Sequence, residues 1–74
     1  MKYTTIKIRN NSVSQVKISE TLEEAIRNAH LMFEEQIGYF MDDNESEEFD
    51  NDLEIYIEED HDNHYTFSVN VIED

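Results

Sequence analysis

The sequence predicts an α+β domain of order ββαββ, with one antiparallel four-stranded sheet and a single helix packed on one face. Three observations predict it. Two pairs of short segments alternate apolar and polar residues with period two, and each pair is split by a turn-forming cluster; a stretch between the pairs repeats its apolar residues with helical period; and no linker or internal repeat divides residues 1 to 74.

The first pair opens the chain. Residues Thr4 to Ile8 alternate with Ile6 and Ile8 on one face, and Val16 and Ile18 repeat that spacing beyond Asn10-Asn11-Ser12. The pattern expects a hairpin with these four side chains in the core. Thr21, followed three residues on by Glu24, has the form of a capping box. After it Leu22, Ala25, Ile26, Ala29, Met32, Phe33 and Ile37 fall on a single stripe, which predicts a helix from about Leu22 to Ile37. Gly38, the only glycine, stands where a left-handed C-terminal cap belongs. Leu31 falls on the polar side of that helix.

Residues Asp42 to Asp52, DDNESEEFDND, hold seven carboxylates with Phe49 as the only large apolar group, so the spacing expects a loop or flap there. The second hairpin follows. Leu53, Ile55 and Ile57 alternate with Glu54, Tyr56 and Glu58, and Tyr65, Phe67, Val69 and Val71 alternate with Thr66, Ser68 and Asn70, either side of Asp60-His61-Asp62-Asn63-His64.

At 74 residues the chain has room for one thin core, because a domain this small buries about 60% of its unfolded surface. With no cysteine, neither a disulfide framework nor a thiolate zinc site can reinforce it. No apolar run approaches the roughly 20 residues of a membrane span, and MKYTTIKIRNN lacks the apolar stretch of a secretory signal. The expected location is therefore the cytosol, with no membrane association.

The formal net charge is −14, from 19 Asp and Glu against 5 Lys and Arg. Every cation (Lys2, Lys7, Arg9, Lys17, Arg27) lies in residues 1 to 27, where three glutamates leave +2, whereas residues 28 to 74 hold 16 carboxylates and no Lys or Arg. The asymmetry reads as an interaction surface, and its sign excludes phosphate-backbone binding as the main task. Solubility alone needs about 2 to 8 net charges in a small domain. A compact chain of this length spans about 29 Å, over which duplex DNA carries about 17 phosphates. The protein's charge approaches that of a duplex segment its own size.

Chemistry-bearing patterns are weak. Carboxylate pairs occur at nearly every spacing among so many acids, so a dyad for acid–base work carries no information, and one glycine gives little material for an oxyanion hole. His61 and His64 flank Asp62 in a turn, short of the four fixed ligands of a zinc site, and His30 sits at the margin of the helical stripe. From Asp43, oxygen ligands fall at the first, third, fifth and twelfth positions of a calcium loop (Asp43, Glu45, Glu47, Glu54). The sixth position is Glu48 where the loop needs glycine, and a strand follows where the motif needs a helix. No cofactor is implied.

In size, charge and lack of a catalytic signature, the chain resembles the small acidic inhibitors encoded by bacteriophages and mobile elements, including anti-CRISPR proteins that imitate DNA. The resemblance is one of class. It implies a partner protein with a nucleic-acid channel or PAM-reading site lined by Lys and Arg, such as a CRISPR effector. The expected function is thus a non-enzymatic viral inhibitor that occludes such a site. Asp42, Asp43, Glu45, Glu47, Glu48, Asp50, Asp52, Glu54, Glu58, Glu59, Asp60 and Asp62 would replace phosphates, with Tyr56, Phe49 and Leu31 as apolar anchors. An antidote to a nuclease toxin follows from the same physics, and a calcium-binding acidic module is the alternative from another class.

Overall fold

The computed structural model describes residues 1 to 72. Glu73 and Asp74, which contribute to the acidic total, lie outside them. The first hairpin joins β1 (Lys2–Arg9) to β2 (Ser12–Ser19) in an antiparallel pair. Asn10 and Asn11 hold φ of 49° and 69°, the two left-handed positions of a type I′ turn, which asparagine tolerates better than most residues.

Helix α1 (Leu22–Ile37) begins and ends where the sequence predicts. Thr21 Oγ1 accepts the Glu24 N–H at 3.1 Å, and Gly38, left-handed at φ 97°, donates its N–H to the Glu34 carbonyl at 2.9 Å. Ala25, Ala29, Met32 and Phe33 are buried, while Leu22, expected on the same stripe, is exposed.

A second helix, α2 (Asp43–Asp52), replaces the expected loop, so the order is ββααββ and two helices cover the sheet where one was expected. The acidic composition argues against a helix, but two local features override it. Asp42 and Glu45 close a capping box, and Phe49 is fully buried among core side chains. Then β3 (Glu54–Asp60) and β4 (Asn63–Ile72) form the second hairpin, with a register shift at Glu58/Asp60.

The sheet runs β2-β1-β4-β3, with the first and last strands paired in the middle and β2 and β3 at the edges. Both helices lie on one face. That face takes Thr5 from β1, Tyr65, Phe67 and Val69 from β4, and Ile55 from β3. The opposite face stays open.

The alternation in the first hairpin is as expected, but its faces are reversed. Ile6, Ile8, Val16 and Ile18 are not core: they point to the open face, and Thr5 is the fully buried residue of β1. Helix α1 covers this face with its buried Ala25 and Ala29. Thr5 Oγ1 donates to the Ala25 carbonyl at 2.8 Å, which satisfies the buried hydroxyl. Since strand side chains alternate, one inward threonine turns every neighbour outward. Lys7 shares the inner face by laying its stem along it; its Nζ donates to Gln36 Oε1 at 3.1 Å, and Gln36 Nε2 donates to the Tyr65 hydroxyl at 3.1 Å. In β4, Val71 is exposed although the spacing expects it inside.

Candidate acidic interface

The acidic surface is built on two rigid elements. In α2, Asp42 Oδ1 accepts the Glu45 N–H at 2.8 Å and Glu45 Oε1 accepts the Asp42 N–H at 3.1 Å. Phe49 then fixes the rotation of the helix: its ring meets His30 edge-on at 5.7 Å, and His30 Nε2 lies 3.7 Å from Asp50 Oδ1. With Phe49 inward, the helical period puts Asp43, Glu47 and Asp50 in one outward row and Glu48 and Asp52 in another, at steps of about 6 Å for residues four apart. The last turn carries no cation, and α2 closes on Leu53, left-handed at φ 56°, a conformation that costs a non-glycine residue about 1–2 kcal/mol.

On β3, Glu54, Tyr56 and Glu58 face the open side, paired with Ser68, Thr66 and His64 of β4. Tyr56 donates its hydroxyl to Glu58 Oε2 at 3.3 Å and its ring lies 6.1 Å from that of His64. Loss of solvent and then the Glu58 charge and hydrogen bond hold the Tyr56 phenol above its ordinary pKa. The open face therefore grades from carboxylates at the β3 edge, through hydroxyls and amides in the middle, to Ile6, Ile8, Val13, Val16 and Ile18 at the β2 edge.

No protein family, curated protein or solved structure matches the chain. The functional reading rests on this surface.

Asp42, Asp43, Glu47, Glu48, Asp50, Asp52, Glu54, Glu58, Glu59, Asp60 and Asp62 are all exposed, and Glu45 is partly so. Asp60 is engaged within the second turn: its carboxylate accepts from Asn63 Nδ2 at 3.1 Å and from the Asp62 N–H at 2.8 Å. These bonds, the Asn63 amide first, lower its pKa. The same turn is tied to the first hairpin, since Asn10 exchanges two backbone-directed bonds with His64 at 3.0 Å.

Of the three expected anchors, Tyr56 and Leu31 are exposed, but Phe49 is not available. It is fully buried and holds α2 down, so the one large apolar group in the acidic run is its core contact.

Two aromatic residues that sequence reasoning passed over flank the surface instead. Phe40 is 69% exposed, held outward between Met41, which is buried, and Tyr39, whose ring stands edge-on to Phe33 at 5.6 Å. Tyr39 donates its hydroxyl to Glu45 Oε2 at 3.4 Å. Loss of solvent, the charge and hydrogen bond of Glu45, and the charges of Asp42 and Glu59 raise its pKa. The available signal was an aromatic pair directly after the only glycine and separated from the acidic run by Met41 alone.

The residues spaced like a calcium loop lie on α2 and β3, so they do not wrap a common centre. Among the described residues no three His, Cys, Asp or Glu side chains group as metal ligands. A shallow depression lined by Thr21, Glu23, Glu24, Arg27 and Asn28 lies at the first turn of α1, bordered by none of the three histidines. No helix among the described residues is long and apolar enough to cross a membrane.

Proposed function

We propose that this chain is an inhibitor that binds a partner protein and occludes its cationic nucleic-acid site by presenting carboxylates in place of phosphates, in the manner of a phage anti-CRISPR protein. The observation that carries the reading is the arrangement of α2 and β3. The acids of the two elements are held on hydrogen-bonded backbone rather than on a loop, and the start of α2 is tied to Tyr39 by the bond from its hydroxyl to Glu45 Oε2. Fixed charge of one sign recruits a basic cleft at long range and lowers the entropy lost on docking.

In this reading the two rows of α2 and the Glu54/Glu58 row of β3 face the partner's Lys and Arg side chains. Charge alone discriminates poorly between basic surfaces, so exposed aromatic groups supply selectivity, with Tyr56 on the open face and Phe40 at the corner between the helices. Leu31 on α1 is a further apolar contact.

The test is retention of a basic nucleic-acid-binding protein from a bacterial lysate on the immobilised chain at low salt, followed by elution at high salt and by duplex DNA. Release by both supports occlusion. A retained protein that keeps its nucleic acid while bound contradicts it.

A further inference from the structure

We propose that the free edge of β3 takes a basic, extended segment of the partner as an added antiparallel strand. The inference rests on the inhibitor reading above and names the form of what meets the carboxylates of β3. Two independent features of the edge carry it, one of the backbone and one of the side chains.

The backbone feature follows from the ladder. The sheet ends at β3, which has β4 on one side only. The Val69 N–H donates to the Leu53 carbonyl at 2.9 Å, and the same register continues through Ile55 with Phe67 and Ile57 with Tyr65. The odd residues of β3 thus turn their backbone groups to β4. Glu54, Tyr56 and Glu58 aim theirs off the edge, where an incoming strand can pair with them.

The side-chain feature falls on the same three residues. Their side chains stand on the open face at steps of about 6.6 Å, with Tyr56 exposed between two exposed carboxylates. In an antiparallel addition, the residue opposite each of the three exchanges backbone bonds with it and projects its side chain on the same face, Cβ to Cβ about 5.5 Å. Arginine at alternate positions of the incoming strand then meets Glu54, the Tyr56 ring and Glu58 in turn, giving two ion pairs and one cation–π contact.

Charge selects this occupant over a second copy of the chain. The strand EIYIEED holds no cation, and two β3 edges paired about Tyr56 would set Glu54 of each copy directly opposite Glu58 of the other. Nucleic acid is refused by the same sign of charge. The register shift between Glu58 and Asp60 ends the regular edge, so the matching segment is short, with basic residues opposite Glu54, Tyr56 and Glu58.

The experiment titrates the full chain at low salt with short synthetic peptides that alternate arginine and threonine, followed by NMR shifts and amide exchange. One peptide is unmodified, one is N-methylated at its arginines, whose N–H groups would face β3, and one at its threonines, whose N–H groups would face away. All three carry the same charge. The expected result is binding of the unmodified and threonine-methylated peptides, with exchange slowed at the Glu54, Tyr56 and Glu58 amides. The arginine-methylated peptide should bind about tenfold more weakly or worse, through loss of its hydrogen bonds. Glu54→Gln/Glu58→Gln, at exposed positions and checked for an unchanged circular dichroism spectrum, should weaken the unmodified peptide several-fold. No binding at low salt, equal binding of the two methylated peptides, or protection that appears elsewhere than β3 would overturn the proposal. A chain that displaces a duplex from a basic partner while its β3 amides stay unprotected keeps the inhibitor reading and loses this one, so the two failures are distinguishable.

Discussion

Replacing Phe49 with alanine removes the only residue that α2 buries. Without it the helix has little reason to form. Its like charges stand at helical neighbours, Asp43 with Glu47 and Glu48 with Asp52 four apart, and Glu45 with Glu48 and Glu47 with Asp50 three apart. Each such pair costs about 0.2–0.5 kcal/mol, so the four together oppose the helix by about 1–2 kcal/mol. An isolated helix shorter than about 12 residues is marginal even with favourable side chains. Truncating a buried phenylalanine costs about 3–5 kcal/mol. The whole domain, at about 0.05–0.15 kcal/mol per residue, has about 4–11 kcal/mol of stability to lose. Phe49→Ala is therefore expected to consume a large share of the total. Urea unfolding followed by circular dichroism measures the loss, and amide exchange in residues 43 to 52 locates it. A loss below about 1 kcal/mol, or α2 amides that keep their protection, would refute the account of a helix held by one side chain.

Other consequences concern charge and buried polar groups. Salt should raise the melting temperature of the isolated protein, because crowded carboxylates are screened over about 8 Å at physiological ionic strength; an unchanged or lower value would contradict this. Thr5→Val should cost about 0.5–1.5 kcal/mol through loss of the bond to the Ala25 carbonyl, read as a shift in the urea midpoint. The Asp60 carboxyl titrates low, so its contribution is present above the ordinary carboxylate pKa and fades as pH falls through the folded value; Asp60→Asn should flatten that part of the acid limb. The raised phenol of Tyr39 acts in the opposite range, with stability lost as pH rises from the ordinary tyrosine value towards the folded one. Glu45→Gln should bring the Tyr39 titration, followed by ultraviolet absorbance, back towards that ordinary value.

Helix α1 was legible because its signals are local: Thr21 and Gly38 act on the adjacent backbone. The second hairpin was legible for a related reason, since Ile55, Tyr65, Phe67 and Val69 are apolar on one face and polar residues fill the other. The first hairpin carries apolar residues on the uncovered face and Tyr3, Thr5 and Lys7 on the covered one, so period gave its strands and composition misdirected its faces. The covered face is marked by the Thr5 bond to the Ala25 carbonyl, a contact between residues 20 apart that local period does not reveal. Helix α2 was hidden by its carboxylates, although Asp42 and Glu45 carry a capping box in the same sequence form as the one expected at Thr21. Reading the run as a loop also made Phe49 look like an exposed anchor, and it drew attention away from Tyr39 and Phe40. The acidic site was legible as charge, because counting needs no fold; its division between a helix and an edge strand was not.

The most direct measurement of the central claim is competition between this chain and a labelled duplex for a purified basic partner. The comparison set is the wild type, the Glu54→Lys/Glu58→Lys double variant, a variant with the α2 carboxylates reversed, and Lys2→Glu as a control in the non-acidic segment. Displacement of the duplex by the wild type, weakened by rising salt, largely lost in both reversal variants and retained in the control, is the predicted result. Simultaneous binding of chain and duplex, or reversal variants that displace the duplex as well as the wild type, would contradict it.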